Sequence, residues 1–175
     1  LNKAVELRPA DSGAYLGRAK MYLAHPEAVF KKDFERADAE PFWRQAEKDM
    51  DRAIQLDPKN FDAFMARGEH YIDPSIAKLN EAIGDYSKAI SLNPQSMEAY
   101  RARQEAYRLQ GDPARRIADL NRLIAIVSED YSSLCGYYVE RGMERVQIGE
   151  LDNALADFDK CFSLLEARIK GNPSG

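Results

Sequence analysis

Two motifs alternate along this chain at nearly constant spacing, and that alternation limits the fold more than any other feature. The first reads Ala-aromatic-x-x-Arg-small-x-x-Tyr. Its copies are Ala14, Tyr15, Arg18, Ala19, Tyr22, then Ala63, Phe64, Arg67, Gly68, Tyr71, then Ala99, Tyr100, Arg103, Gln104, Tyr107. A weaker copy runs Tyr137, Tyr138, Arg141, Gly142, Arg145. The second reads Asp-apolar-x-x-small-apolar-x-Leu. It begins at Asp49-Met50, Asp85-Tyr86, Asp119-Leu120 and Asp157-Phe158, and continues through Ala53-Ile54, Ala89-Ile90, Leu123-Ile124 and Cys161-Phe162. Asp85 and Asp119 lie 34 residues apart, Asp49 and Asp85 lie 36 apart, and Asp119 and Asp157 lie 38 apart.

Each motif is amphipathic at helical spacing. Tyr15, Arg18, Ala19 and Tyr22 fall at i, i+3, i+4 and i+7, one face of a helix. Ala82, Ile83, Tyr86, Ala89 and Ile90 form the facing stripe of a partner helix. The small residue (Ala19, Gly68, Gly142) belongs where the two helices cross, since a larger side chain there would hold them apart. One such hairpin cannot hide its apolar face alone, so neighbours must stack. The stops are explicit as well. Gly111-Asp112-Pro113 ends one helix and starts the next with Pro in its first turn, and Gly149-Glu150-Leu151 makes a similar break. Leu56-Asp57-Pro58 and Leu92-Asn93-Pro94 end helices and launch the following repeat. Every full repeat also carries one Arg and one Asp: Arg18 and Asp49, Arg67 and Asp85, Arg103 and Asp119, Arg141 and Asp157. They are either solvated helix residues or an ion pair that fixes helix packing, and their recurrence favours the pair.

A period of about 34 built from two alternating helical motifs resembles the tetratricopeptide-repeat family, over nearly the whole chain. The resemblance implies an all-α fold, a right-handed superhelical solenoid of antiparallel helix pairs. It divides a single array over 1–175 into a half repeat at 1–11, repeats at 12–60, 61–96, 97–130 and 135–168, and a tail at 169–175. It also implies a protein-interaction scaffold without enzymatic activity, whose first helices line a concave groove for an extended peptide or a helix of a partner. Mapped here, that lining comprises Leu16, Lys20 and Leu23, then Asp62, Met65, Glu69 and Ile72. It goes on with Glu98, Arg101, Glu105 and Arg108, and ends with Val139, Met143 and Val146. Some family members grip acidic chaperone tails with a Lys/Asn/Arg clamp. The matching inner positions include Leu16, Ala66 and Glu69, so that clamp is broken and no such binding is expected. Arg101 and Arg108 could hold a carboxylate, but Glu98 and Glu105 beside them favour pairing within the helix.

The departures from the pattern are local. Repeat 12–60 carries about fifteen residues more than the family period, and Pro26, Phe30, Phe34 and Ala37 within them predict an inserted helix near 26–39. Such an insertion could contact a partner; a helix that covers apolar surface is the expected role. Two extra residues around Asp73-Pro74 predict a shortened or tilted helix, and four around 131–134 a longer one. Gln104 and Arg116 stand where small residues are usual, which predicts a repeat at 97–130 that is splayed or that contacts its neighbours differently. Neither end shows a polar capping helix, so the sequence reads as a piece of a longer chain. Homo-oligomerisation or docking through the exposed ends is the alternative to groove binding.

Composition narrows the remaining classes. A formal net charge of -4 with scattered basic residues speaks against nucleic acid as the main partner. No apolar run approaches the roughly 20 residues that span a bilayer, no secretory signal is visible, and the compartment stays unknown. Cys135 and Cys161 are too few for a disulfide framework or a structural zinc site, and read as small residues in or near a core. His25 and His70 lie in different repeats, His70 at an expected exposed helix position. There is no phosphate loop, nucleophile elbow or metal-ligand spacing, so no catalytic residue, metal or cofactor is expected.

Overall fold

The computed structural model describes residues 2–24, 40–127 and 130–171. Among them are nine helices: α1 (Asn2–Leu7), α2 (Ser12–Ala24), α3 (Glu40–Leu56), α4 (Phe61–Tyr71), α5 (Leu79–Leu92), α6 (Met97–Gln110), α7 (Pro113–Ile126), α8 (Tyr131–Gln147) and α9 (Leu151–Gly171). No strand occurs among the described residues. The helix expected near 26–39 lies outside them. The chain gathers into two compact units, Leu1–Asn93 and Pro94–Gly175. In the first, α2 pairs with α3 and α4 with α5; in the second, α6 pairs with α7 and α8 with α9. Within each unit consecutive pairs stack, α4 on α3 and α8 on α7.

Local sequence sets the helix ends. Asn60, Ser96 and Asp112 each accept a hydrogen bond from the backbone N–H three residues on, which caps α4, α6 and α7. Gly111 and Gly149 take left-handed φ values of 73° and 81°, a conformation glycine adopts without steric cost. The α4 helix has 11 residues against 14 in α6, and stops before the extra residues around Asp73-Pro74. The α8 helix reaches 17 residues.

The crossing points depend on the small residues. A Cβ built on Gly68 would stand 2.5 Å from the ring of Tyr86, and one on Gly142 2.6 Å from the ring of Phe158. Ala19 fills the same slot in α2 and is fully buried. The recurring Arg and Asp form the ion pair in all four repeats, and each is bidentate. Arg18 Nε and Nη2 donate to Asp49 at 2.6 and 2.7 Å, and Arg67 to Asp85 at 2.8 and 2.6 Å. Arg103 donates to Asp119 at 2.9 and 2.6 Å, and Arg141 to Asp157 at 3.0 and 2.5 Å. The four aspartates are buried, so the planar guanidinium supplies the paired donors that a buried carboxylate needs.

One expectation is decided and one corrected. Of a splayed repeat at 97–130 or one that contacts its neighbours differently, the second holds: Gln104 and Arg116 hydrogen-bond to each other across the crossing, Arg116 Nε donating to Gln104 Oε1 at 2.7 Å. Arg116 then reaches Glu140 at 2.8 Å and also pairs with buried Glu144, both on α8. The cysteines are not separate small residues: Cys135 of α8 and Cys161 of α9 are disulfide-bonded, with Cα atoms 4.4 Å apart. Facing positions on one hairpin bring them together across 26 residues of chain.

Candidate functional site

The groove residues read from the sequence fall into three groups: buried ones and exposed ones on the same helices of the first unit, and a set in the second unit. Leu16 and Met65 are buried. Leu16 packs with Ala19, Ala46, Met50, Ala53, Ala63 and Ala66 in one core cluster. Both are therefore corrected from groove lining to core. The α2 helix packs against α3 on one side and α4 on another, so its buried sector is wider than the motif face.

Lys20 and Glu69 are exposed and stand at a cavity of about 500 Å3 in the first unit. Leu23, Ala24, Trp43, Ala66, His70, Asp73 and Ile76 complete its wall. A second cavity of about 730 Å3 shares Trp43, His70 and Ile76, and adds Glu40, Arg44, Glu47, Ser75 and Lys78. His70 is buried, not exposed as its helix position predicts. Burial holds its imidazole below the ordinary value near 6.5; Glu47 and Asp73 pull the other way, while Lys78 adds to the lowering. Beside it Tyr71 Oη donates to Glu47 at 2.9 Å and Lys78 Nζ does so at 2.7 Å. Burial alone would raise the Glu47 carboxyl, but these two hydrogen bonds and the lysine charge outweigh it and keep the group below the usual carboxylate range.

The second unit holds the other set. Arg101, Gln104, Glu105, Ser133, Gly136, Tyr137 and Glu140 line a recess of about 460 Å3. Arg101 Nε donates to the Tyr137 hydroxyl, and the guanidinium lies over that ring, 5.5 Å from its centroid. Arg108 pairs within its helix, Nε and Nη2 donating to Glu105 at 2.8 and 2.5 Å. That pair raises the Arg108 pKa and lowers that of Glu105. The Arg101 and Arg108 side chains thus take separate partners. Val139 is half-buried, while Met143 and Val146 are exposed on α8.

Reading only the first helix of each repeat missed Trp43, which lies on a second helix, and Ile76, which lies in the extra loop after α4. The one tryptophan of the chain, beside an insertion, was the available signal. Chemically the two cavities of the first unit offer apolar walls with charges of both signs, which suits side chains of a polypeptide. Among the described residues no cluster of His, Cys, Asp and Glu is arranged to hold a metal ion. Among the same residues, no helix is long and apolar enough to cross a membrane.

No protein-family model matches the chain. No curated protein matches it either. Solved structures do. The MamA protein superposes with a TM-score of 0.72 at 20% identity, over 97% of this chain and 81% of that one. YrrB, described as a TPR protein with an unusual peptide-binding site, superposes with a TM-score of 0.68 at 18% identity, over 93% of this chain and 73% of that one. TTC0263, a thermophilic TPR protein of Thermus thermophilus, gives 0.54 at 18% identity, over 97% and 84% of the two chains. At such identities the likeness speaks to the fold alone, and that fold is tetratricopeptide-like: all-helical, built from repeated hairpins.

Proposed function

We propose that this chain is a protein-interaction scaffold, not an enzyme, and that the cavity beside α2 and α4 receives a segment of a partner protein. The observation that carries this reading is the wall of that cavity: Leu23, Trp43 and Ile76 supply apolar surface, while Lys20, Glu69 and Asp73 supply both signs of charge. A mixed lining of this kind holds side chains of a peptide and fixes their register through a few polar contacts. The YrrB structure is of a TPR protein with a peptide-binding site, which supports a peptide as the ligand class.

The test is partner capture with the immobilised chain, comparing the native protein with Lys20→Glu/Glu69→Lys. Both residues are exposed, and equal melting of the two proteins is the control for the comparison. A protein retained by the native chain and lost by the variant supports the reading, and that partner should perturb Trp43 fluorescence when titrated. Equal retention by both overturns the assignment to this cavity. A second reading, docking through an exposed end, is favoured by the apolar surface of α9.

A further inference from the structure

At the recess of the second unit, one guanidinium sets two side chains in register. Arg116 Nε donates to Gln104 Oε1 at 2.7 Å, and its Nη2 donates to Glu140 Oε2 at 2.8 Å. Nε and Nη2 form one edge of the planar group, so Gln104 of α6 and Glu140 of α8 stand side by side along it. Each has one polar atom left over. Among the described residues neither Gln104 Nε2 nor Glu140 Oε1 has a hydrogen-bond partner. Both residues line the recess, and Gln104 is only 8% exposed. A buried amide donor and a neighbouring carboxylate acceptor are thus left for one ligand group.

The rest of the wall keeps this pair open and adds donors beside it. Arg101 gives Nε to the Tyr137 hydroxyl and lies over that ring, and its Nη1 and Nη2 have no partner among the described residues. Gly136 stands within α8, although glycine is a poor helix former. A Cβ there would meet nothing within 4 Å, so helix packing does not call for glycine. Its missing side chain leaves the recess open instead. Charge does not favour an anion. The carboxylates of Glu105, Asp130, Glu140 and Glu144 outnumber the guanidiniums of Arg101, Arg108 and Arg116 that pair with or lie near them.

We propose that this recess holds the side-chain carboxamide of an Asn or Gln of a partner polypeptide. The ligand carbonyl accepts from Gln104 Nε2, and the ligand NH2 donates to Glu140 Oε1. Arg101 adds a second donor to the carbonyl. A carboxamide carries its C=O and an N–H on one edge, as the Gln104–Glu140 pair requires. A trans peptide bond points the two to opposite sides and cannot meet both. A carboxylate would set an oxygen against Glu140 Oε1. The recess belongs to the second unit and the cavity beside α2 and α4 to the first, so the two readings stand or fall separately.

The probe is N-acetyl-glutamine N-methylamide, titrated into the whole chain and followed by NMR at the Gln104 side-chain amide and the Arg101 Nε–H. Its blocked ends imitate a residue within a polypeptide. It should shift both signals and saturate with a dissociation constant of roughly 1–10 mM. The matching glutamate probe, at neutral pH, should bind more weakly by about tenfold or more. Glu140→Gln keeps an oxygen for Arg116 and turns the leftover acceptor into a donor, so it should reverse that preference. Gly136→Leu should abolish binding of both probes at an unchanged or raised melting temperature, because leucine is the better helix former. No shift at either signal up to about 50 mM probe overturns the proposal. So does equal or tighter binding of the glutamate probe by the native chain, or a preference that Glu140→Gln leaves in place. Free glutamine that binds about tenfold more tightly than the blocked probe overturns the polypeptide as the source and gives the recess to the amino acid.

Discussion

The α4–α5 and α6–α7 hairpins solve one packing problem with opposite chemistry. Where α4 crosses α5, Gly68 leaves room for the ring of Tyr86, and the crossing is closed by apolar contact. Where α6 crosses α7, Gln104 and Arg116 fill the space, and the gap is closed by hydrogen bonds that run on to Glu144 of α8. Both hairpins keep the bidentate Arg–Asp pair, at 2.6–2.8 Å in the first and 2.6–2.9 Å in the second. The ion pair is therefore the shared frame, and the crossing residues are where repeats diverge. An apolar crossing fails by steric crowding; a polar one fails when a partner is removed.

The largest effect should come from Arg116→Ala. Glu144 is buried, and without Arg116 its charge loses this partner. Breaking such a buried pair costs about 3–5 kcal/mol, which urea unfolding would measure. Replacing the network instead, with Gln104→Ala, Arg116→Met and Glu144→Leu together, should return most of that loss, because apolar residues of similar volume often match or exceed a buried ion network. A triple variant as unstable as Arg116→Ala would show that the second hairpin cannot adopt the apolar solution of the first.

Next in size is Gly68→Ala. The added methyl would stand 2.5 Å from the Tyr86 ring, and Tyr86 is fully buried with little room to yield. Overpacking of this kind costs about 1–3 kcal/mol, against roughly 1 kcal/mol that alanine gains over glycine within a helix. Gln104→Ala probes the corresponding slot of the other hairpin and should lose a hydrogen bond without a clash. A smaller loss for Gly68→Ala than for Gln104→Ala, measured by thermal melts, would break the comparison.

The shared frame was legible in the sequence because it recurs. An Arg and an Asp returning at fixed places in four copies point to one contact, and the glycines at 111 and 149 mark helix ends by their backbone freedom. What was not legible depends on who stands beside a helix. Leu16 and Met65 sit on the face that repeat spacing turns towards a groove, yet neighbouring helices bury them. The Arg116 position stood out as a misfit, but its partner Glu144 lies 28 residues on, with no local spacing to tie the two. Cys135 and Cys161 pair for the same kind of reason, across a hairpin rather than along a helix. Trp43 and Ile76 line the cavity from a second helix and a loop, where a rule about first helices does not look.

The smallest effect separates the hairpins by pH. His70, on α4, is buried, and its pKa lies below the ordinary value of 6.5 because burial disfavours the imidazolium. The unfolded chain, with its histidine near 6.5, therefore binds more protons than the folded one just below that pH. Stability held by neutral His70 is complete above about pH 6.5 and declines as pH falls towards the folded pKa. Glu47 and Asp73 limit the decline by favouring the charged form, whereas Lys78 deepens it. His70→Gln should remove this contribution while keeping a polar side chain of similar length. Melting curves at pH 7.5 and 5.5 should show a larger drop for the native chain than for the variant. Equal drops would mean that His70 takes up its proton in place, and that the apolar hairpin tolerates a charge as readily as the polar one.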